Sequence, residues 1–361
     1  MAGVYISYPF CSQKCSFCNF ASGVSSSDVR KRYEQILLDD LRDHQWTFPP
    51  ETLFFGGGTP SLMPSQLLTD LMTVIPRERL KEVTLECAPG TVEPANAAHW
   101  ARCGINRVSL GVQSFVTAEL ARTGRRHTAE IVQHDVELLR AAGIHNFNLD
   151  LIAGLPGQTR ESWSESLAWL DRLQPPHVSV YIFEVDEDSR LGKEVLASGS
   201  RYGASDLPDD DLTAELYETA VDHLTALGIP RYEISNFARQ GLESAHNLKY
   251  WRLEPYVGFG LDAHSFDGHA RWSTPDTLRD FMHHSGGDRE RTPSDPDEEH
   301  FFVGLRLSAG IEPKPLEWIR FHRPIRKWLS NGMLIQEGVR LRLSDRGVLV
   351  SNEILQEFIN V

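Results

Sequence analysis

Up to about residue 230 the sequence alternates between strand-like and helix-like segments, and this alternation most restricts the possible folds. The strand candidates are short and rich in β-branched and aromatic residues, and the amphipathic segments between them have apolar residues at helical spacing. Strand candidates cover 4–8, 52–56, 83–87, 107–112, 147–154 and 178–185, and helix candidates cover 26–45, 63–75, 93–104, 127–143, 159–173 and 209–228. Because parallel neighbours need crossover connections, the pattern predicts a parallel α/β sheet, either an incomplete (β/α)6 barrel or a doubly wound sheet.

The composition of the sequence changes after the sixth pair of predicted strand and helix. Residues 1–230 are predicted to form the barrel, and residues 231–284, which are rich in aromatics and Gly, are predicted to extend it as a junction. The polar stretch 285–299 is predicted to be a linker. Helical segments around a short hairpin predict a small, mainly helical, winged-helix-like C-terminal domain over 300–361.

The charge balance narrows the classes of partner. The 36 basic and 50 acidic residues give a net charge of −14, and no Lys/Arg block suggests a nucleic-acid footprint. No run approaches the roughly 18 apolar residues that a membrane span needs. The first residues contain neither a basic segment nor a cleavage site, so the protein is expected in the cytoplasm without a stable membrane anchor.

Three cysteines, Cys11, Cys15 and Cys18, lie within eight residues directly after the first predicted strand. Cys87 and Cys103 complete an odd total of five, which argues against a disulfide framework, and we interpret these two as small buried apolar residues. Three close thiols are typical of metal ligands, either for zinc or for an iron–sulfur cluster. A closed zinc site prefers four ligands, whereas three thiolates on a four-iron cluster leave one iron open for a substrate.

The spacing C-x3-C-x2-C, with Phe17 before the third cysteine, resembles the radical S-adenosylmethionine superfamily. The Gly-rich segment 56–60 closes the second predicted strand and resembles the glycine motif of that superfamily, where Gly lets the backbone approach a ligand. The segments YISYPFC, GGGTPS, LECAPG, GVQSF, NLDLIAGLPGQT, YEISNFA and NLKYW resemble the branch that contains the oxygen-independent coproporphyrinogen III oxidases and the related heme chaperones. This resemblance runs from residue 4 to the C-terminus and implies an incomplete (β/α)6 barrel.

The resemblance also implies a set of cofactor ligands. Cys11, Cys15 and Cys18 would hold a 4Fe–4S cluster. The residues that match contacts to S-adenosylmethionine are Tyr5, Phe17, Gly57, Gly58, Thr59, Glu86, Gln113, Arg125 and Asp150. In the oxidases some of these positions surround a second S-adenosylmethionine. On their own, the polar residues among them would also fit ordinary strand ends, although an acid inside FNLDLIAG is costly to bury without a partner.

Two departures separate this chain from the oxidases that it resembles. The oxidases have a further cysteine two positions after the third one, where this chain has Phe20, and they have an N-terminal extension where this chain has ten residues before Cys11. The segment HNLKY resembles the heme-chaperone motif, and it makes His246 a candidate axial ligand with Tyr250 on the same helical face. His264 is the competing candidate, and the alternative is that His246 and Tyr250 are simply bonded within a junction.

The resemblance favours a heme chaperone that binds a 4Fe–4S cluster, S-adenosylmethionine and heme and delivers heme to an acceptor protein, such as a respiratory enzyme. An oxygen-independent coproporphyrinogen III oxidase, which decarboxylates propionates by radical chemistry, is the alternative, and the two departures argue against that activity. A metal-dependent DNA-binding regulator is a third hypothesis, which the acidic charge disfavours. A monomer is expected, with dimerisation left open.

Overall fold

Six parallel strands in the first half of the chain confirm the predicted alternation. The computed structural model describes residues 2–283 and 290–359. The parallel strands are β1 (Gly3–Tyr8), β2 (Thr52–Gly57), β3 (Glu82–Cys87), β4 (Arg107–Gln113), β5 (Asn146–Ala153) and β6 (His177–Ile182). Each pairs with the next along the chain, as a singly wound barrel requires and a doubly wound sheet does not.

All six predicted helices are present between and after these strands. The helices are α1 (Ser27–Asp43), α2 (Ser65–Val74), α3 (Pro94–Cys103), α4 (Thr117–Arg122), α5 (Ala129–Ala141), α6 (Arg160–Leu173), α7 (Arg190–Leu196) and α8 (Asp210–Ala226), with short 3-10 turns at Pro60–Leu62 and Arg201–Asp206. The short helices α4 and α7 were not predicted. Helix ends follow local chemistry: Thr159 forms a capping box at the start of α6, and Gly104 ends α3 in the left-handed conformation.

Strands from residues 231–284 extend the sheet at both edges. β7 (Asn236–Ala238) lies antiparallel to β6, while β8 (Tyr256–Phe259) lies parallel to β1 and leads into β9 (His264–Phe266) and β10 (Ala270–Ser273). Two helices, α9 (Ala245–Trp251) and α10 (Leu278–His283), belong to the same stretch. The strand order in the described residues runs from β11 (Thr292–Pro293) through β10, β9, β8 and β1–β6 to β7, so the barrel stays open.

The predicted linker 285–299 differs from what the structure shows. Residues 284–289 lie outside the described residues, but β11 pairs with β10, and Asp295 caps helix α11 (Pro296–Gly304). The polar composition therefore reflects a helix start, in which Asp295 accepts from two backbone N–H groups and Pro296 occupies the first turn. The remaining elements are α12 (Pro315–Arg320), α13 (His322–Ser330), β12 (Leu334–Glu337), β13 (Arg340–Leu343), α14 (Asp345–Leu349) and α15 (Ser351–Gln356).

The C-terminal helices share one continuous apolar core with the barrel. Phe301, Phe321 and Phe358 are fully buried and stack on one another, with ring centroids 4.6–5.7 Å apart. Arg231 also forms an ion pair with Asp345 at 2.7 Å, across the junction between barrel and C-terminal segment. None of the helices in the described ranges is both long and apolar enough to cross a membrane.

Candidate functional site

The loop after β1 carries the three clustered cysteines at the carboxyl-terminal edge of the sheet. Cys11 is buried, Cys15 and Cys18 are partly exposed, and all three thiols are free. The backbone N–H of Cys11 donates to the carbonyl of Gly23 at 3.0 Å, which closes the loop on itself. In parallel α/β folds this edge is where binding sites form, so the loop has the position that the sequence predicts.

Arg125 connects the cysteine loop to the neighbouring strand end. Its Nε donates to Cys15 Sγ at 3.0 Å, and a terminal guanidinium nitrogen donates to the Gly111 carbonyl at 3.0 Å. Gln113, next to this contact, has a left-handed backbone (φ 69°), a strained conformation that residues other than Gly rarely adopt. This hydrogen bond fixes the Cys15 sulfur beside the neighbouring strand end.

The donor chemistry of the loop fits an iron–sulfur cluster. The loop carries three free thiols, and in a 4Fe–4S cluster each thiolate binds a different iron. A closed zinc site prefers four ligands. Among residues 2–283 and 290–359, no three His, Cys, Asp or Glu side chains are gathered around one metal-sized position.

The glycine segment after β2 packs directly against the loop after β1. A Cβ on Gly58 would lie 2.6 Å from the Pro9 carbonyl carbon, and a Cβ on Gly56 would lie 2.7 Å from the Tyr5 ring. Gly57 has φ 110°, which L side chains rarely adopt. The glycines therefore bring this backbone against the cysteine loop. Burial raises the pKa of Cys11, and hydrogen bonding with Thr59 offsets only part of that rise.

Two carboxylates lie together at the strand ends beside this segment. Glu86 accepts from the Gly57 N–H at 3.1 Å, and burial, followed by the charge of Asp150, raises its pKa to about 8. Asp150 accepts from Asn148 at 2.6 Å and from Ser109 at 3.2 Å, and burial raises its pKa as well. The acid in FNLDLIAG thus has the polar partners that its burial requires.

Five of the nine residues predicted to contact S-adenosylmethionine belong to successive strands of the barrel, and the other four lie in the loops that follow. Tyr5 stacks on Phe54 with centroids 6.0 Å apart, and Phe17 packs edge-to-face on Phe183, also at 6.0 Å. Tyr5 and Gly57 both line one cavity, described below. The positions on β1 to β5 are Tyr5, Gly57, Glu86, Gln113 and Asp150.

His246, the first candidate for a heme ligand, is buried and fully hydrogen-bonded. Its Nδ1 lies 2.9 Å from Thr52 Oγ1 and its Nε2 lies 2.7 Å from the Tyr250 hydroxyl. Only 1% of the residue is exposed, and burial, followed by the charge of Lys249, lowers its pKa to about 3. In this structure neither nitrogen is available to iron, because direct ligation would break one of these bonds. The arrangement corresponds to the alternative of a His–Tyr pair within a junction.

Helix α9, which carries His246, is held against the amino ends of the barrel strands. Glu82 accepts from the backbone N–H groups of Ala245 and His246, each at 2.9 Å. Lys249, 4% exposed, lies 3.3 Å from Glu51 and 2.7 Å from Glu254. Sequence reasoning missed these acidic partners, although an acid at the start of a buried strand and a Lys inside HNLKY were signals.

A cavity of about 920 Å³ opens beside the cysteine loop and is the largest feature of the site. It joins Tyr5 and Gly57 to aromatic side chains of α9 and β8, including Tyr250 and Tyr256. Residues from β9 to β11 and from α11 complete the wall, and they include His264. This volume suits a large organic ligand, and mostly apolar walls are typical of cofactor sites. The α11 contribution was not predicted, because 285–299 read as a linker.

Comparison with known proteins identifies the family. The family model described as the Radical SAM superfamily matches residues 5–170. The heme chaperone HemW of Lactococcus lactis subsp. lactis (strain IL1403) is 30% identical over 371 residues, covering 98% of this chain and 96% of that protein. The heme chaperone HemW of Escherichia coli (strain K12) is 37% identical over 271 residues, covering 72% of this chain and 69% of that protein.

A solved structure supports the fold. The structure of Escherichia coli coproporphyrinogen III oxidase (HemN), described as a radical SAM enzyme, superimposes with a TM-score of 0.83 and covers 99% of this chain and 90% of that one. The two sequences are only 21% identical, so this likeness concerns the fold alone. Together with the full-length relatives, it confirms the resemblance inferred from the motifs. The chain therefore belongs to the radical SAM superfamily and, within it, to the family of HemW heme chaperones.

Proposed function

We propose that this chain binds heme in the 920 Å³ cavity beside the cysteine loop and delivers it to an acceptor protein. The observation that carries the proposal is the shared lining: Tyr5 and Gly57 of the cofactor region face the same space as Tyr250, Trp251 and Tyr256. Aromatic rings suit the faces of a flat macrocycle. The relatives named heme chaperones, similar over nearly the whole chain, support the same function.

The proposal includes the cofactors that the family implies. A cluster held by the loop thiols supplies one-electron chemistry to bound S-adenosylmethionine. The cluster ligands are Cys11, Cys15 and Cys18, and the S-adenosylmethionine contacts are Tyr5, Phe17, Gly57, Gly58, Thr59, Glu86, Gln113, Arg125 and Asp150.

The residues around the cofactors have distinct tasks in this proposal. At neutral pH the Glu86 carboxyl, with a pKa of about 8, keeps its proton and so donates as well as accepts hydrogen bonds. Arg125 donates a hydrogen bond to Cys15 and orients its sulfur. His246 orients the Tyr250 hydroxyl, which leaves the Tyr250 ring to form part of the cavity wall.

Phe20 separates this function from that of the oxidases. It occupies the position of the additional oxidase cysteine, lines the cavity, and is 66% exposed. An apolar ring replaces a thiol there, which supports binding of a macrocycle rather than decarboxylation of its propionates. We therefore propose no coproporphyrinogen oxidase activity.

The partners follow from the same proposal. Heme is the cargo, and the acceptor is a heme protein such as a respiratory enzyme. We place this activity in the cytoplasm, a reducing compartment in which free thiols remain available for iron. Binding to one acceptor at a time is compatible with a monomer, and dimerisation of the cluster-loaded chain is a point to measure.

The test is an anaerobic heme titration of the cluster-loaded chain, followed at the Soret band. We expect the wild type to bind heme saturably and with near-stoichiometric amounts. We expect Thr292→Trp to raise the Kd at least tenfold, because exposed Thr292 lines the cavity. Thr225→Trp is the matched control, since Thr225 is exposed on α8 and outside the lining. Heme-loaded wild type should then transfer heme to an apo-hemoprotein.

Three outcomes would overturn the proposal. One is the absence of saturable heme binding in the wild type, and another is anaerobic turnover of coproporphyrinogen III to protoporphyrinogen IX with S-adenosylmethionine and a reductant. The third is heme binding that Thr292→Trp leaves unchanged, which would place heme outside the cavity.

A further inference from the structure

The cavity contains one histidine among its lining residues, and that histidine is His264. Its side chain is 67% exposed, whereas His246 is buried behind Tyr250. In the part of the chain that the structure describes, the His264 Nε2 lies 3.8 Å from Asp262 Oδ1, beyond hydrogen-bond distance. The imidazole therefore faces an open space with its nitrogens available, which is the condition that a metal ligand must meet.

The backbone around His264 is fixed even though its ring is free. The Ala263 N–H donates to Thr274 Oγ1 at 2.7 Å, and the Asp262 N–H donates to the Pro275 carbonyl at 2.9 Å. Asp262 has φ 53°, a left-handed conformation that is strained for a residue other than Gly. Such strain persists only where the surrounding structure maintains it, and it is concentrated at functional sites.

We infer that His264 is the axial ligand of the heme iron, with Asp262 accepting a hydrogen bond from the proton-bearing nitrogen of the same ring. This inference rests on the proposed function. A metal-bound histidine commonly donates its second ring N–H to a carboxylate, which fixes the ring and raises its basicity. The Asp262 carboxylate, 3.8 Å from the His264 ring, is the side chain positioned to be this partner.

Several other polar groups of the cavity are engaged with one another. Arg271 forms a two-point ion pair with Glu299, at 2.6 and 2.7 Å, and also donates to the Tyr256 hydroxyl at 2.7 Å. Burial, the larger influence, raises the pKa of Tyr256, which disfavours a phenolate ligand.

Two further carboxylates of the cavity are also neutralised. Asp295 and Glu298 both pair with Arg320. Asp262 differs from these acids, since within the described residues the basic side chain nearest to its carboxylate is His264 itself, at 3.8 Å.

Hydrogen bonds within the protein also exclude His246 and Tyr250 of the HNLKY segment as iron ligands. Tyr250 lines the cavity, but its hydroxyl is bonded to His246 at 2.7 Å, and burial raises its pKa far above neutral. A neutral phenol that is already hydrogen-bonded is a poor iron ligand, so Tyr250 contributes a ring face while His264 contributes the nitrogen.

The experiment compares anaerobic heme titrations of the cluster-loaded wild type, His264→Gly and His269→Gly. His269 lies on the exposed turn between β9 and β10, outside the lining, and serves as the matched control. We expect His264→Gly to raise the Kd for heme at least tenfold and to shift the Soret band. Added imidazole should restore both, because it can fill the space left by the side chain and bind the iron.

Each outcome decides between the inference and the proposed function. Wild type without saturable heme binding would refute the proposed function itself. Saturable binding that is equal in wild type and His264→Gly would refute only the ligand assignment. Weakened binding that imidazole does not restore would show a structural effect and would also refute ligation, whereas restoration together with unchanged His269→Gly supports it. Thermal unfolding of each variant checks that the chain is folded.

Discussion

The cysteine loop and helix α9 carry the two most ligand-like motifs of the sequence, yet they treat their donor atoms in opposite ways. The loop leaves three thiols free at the carboxyl edge of the barrel, with Cys15 receiving a hydrogen bond from Arg125. Helix α9 buries His246 and pairs both of its nitrogens with protein groups. One motif is prepared to receive a ligand, and the other holds the barrel and its cavity wall together.

In the HNLKY segment the most obvious donor, His246, is occupied by protein groups on both ring nitrogens. His246 contributes to the site through Tyr250, whose ring lines the cavity. A buried group that is fully hydrogen-bonded stabilises a fold. Breaking its hydrogen bonds leaves a buried polar group unpaired, which costs more free energy than breaking the same bonds at an exposed group. The three predictions below test the contrast between an open loop and a closed helix.

The largest effect is expected in the cysteine loop. Replacement of Cys11, Cys15 or Cys18 by Ala should abolish the iron–sulfur absorbance after anaerobic reconstitution, because each thiolate binds a separate iron. Cys103→Ala is the control, since that thiol is buried on α3 and contacts His99. Survival of the brown colour in all three loop variants would show that the cluster is held elsewhere.

The next effect is a loss of stability with rising pH at the cofactor edge. The pKa of Glu86 is about 8 in the folded chain against 4.5 ordinarily, so the folded state keeps a proton that the unfolded state releases. Its stabilisation is complete below pH 4.5 and is lost as pH approaches 8. Relative to Glu86→Gln, the wild type should lose about 3 kcal/mol of unfolding free energy between pH 5 and 8. Parallel denaturant curves for the two proteins across this range would contradict the pKa.

Helix α9 should show the opposite and smaller dependence. The pKa of His246 is about 3 in the folded chain against 6.5 ordinarily, so below pH 6.5 the unfolded state binds a proton that the folded state excludes. Stability is therefore present above pH 6.5 and declines as pH falls. Compared with His246→Gln, the wild type should lose ~2 kcal/mol more between pH 7 and 5. If urea unfolding shows an equal loss of unfolding free energy in both proteins, His246 takes up its proton in the folded chain as readily as in the unfolded chain, which would contradict the lowered pKa.

Much of the barrel could be predicted from local chemistry. The six strands follow from short segments rich in β-branched and aromatic residues, and the helices between them follow from helical spacing. The glycines at the end of β2 and the cysteines after β1 mark the edge where chemistry collects. Asp150 was identified as an acid that needed partners, and Asn148 and Ser109 provide them. These features depend on residues close in sequence or on the fixed rule that parallel strands share one edge.

The rest depends on contacts between distant parts of the chain. No local pattern reveals that Glu82 accepts from the start of α9, or that Thr52 occupies one nitrogen of His246. The segment 285–299 read as a linker because Asp, Pro and Glu suit both loops and helix starts. The cavity wall was therefore missed along with the start of α11, and only tertiary packing defines which histidine faces the cavity.

The lining of the cavity also has a consequence for synthesis of the chain. Tyr5 belongs to the first strand, while Ile359 follows the last helix, and both face the same space. A ribosome releases Tyr5 well before Ile359, so the barrel strands emerge long before the cavity acquires its final wall. A nascent chain therefore exposes the thiols of the cysteine loop before it can enclose the cavity beside them.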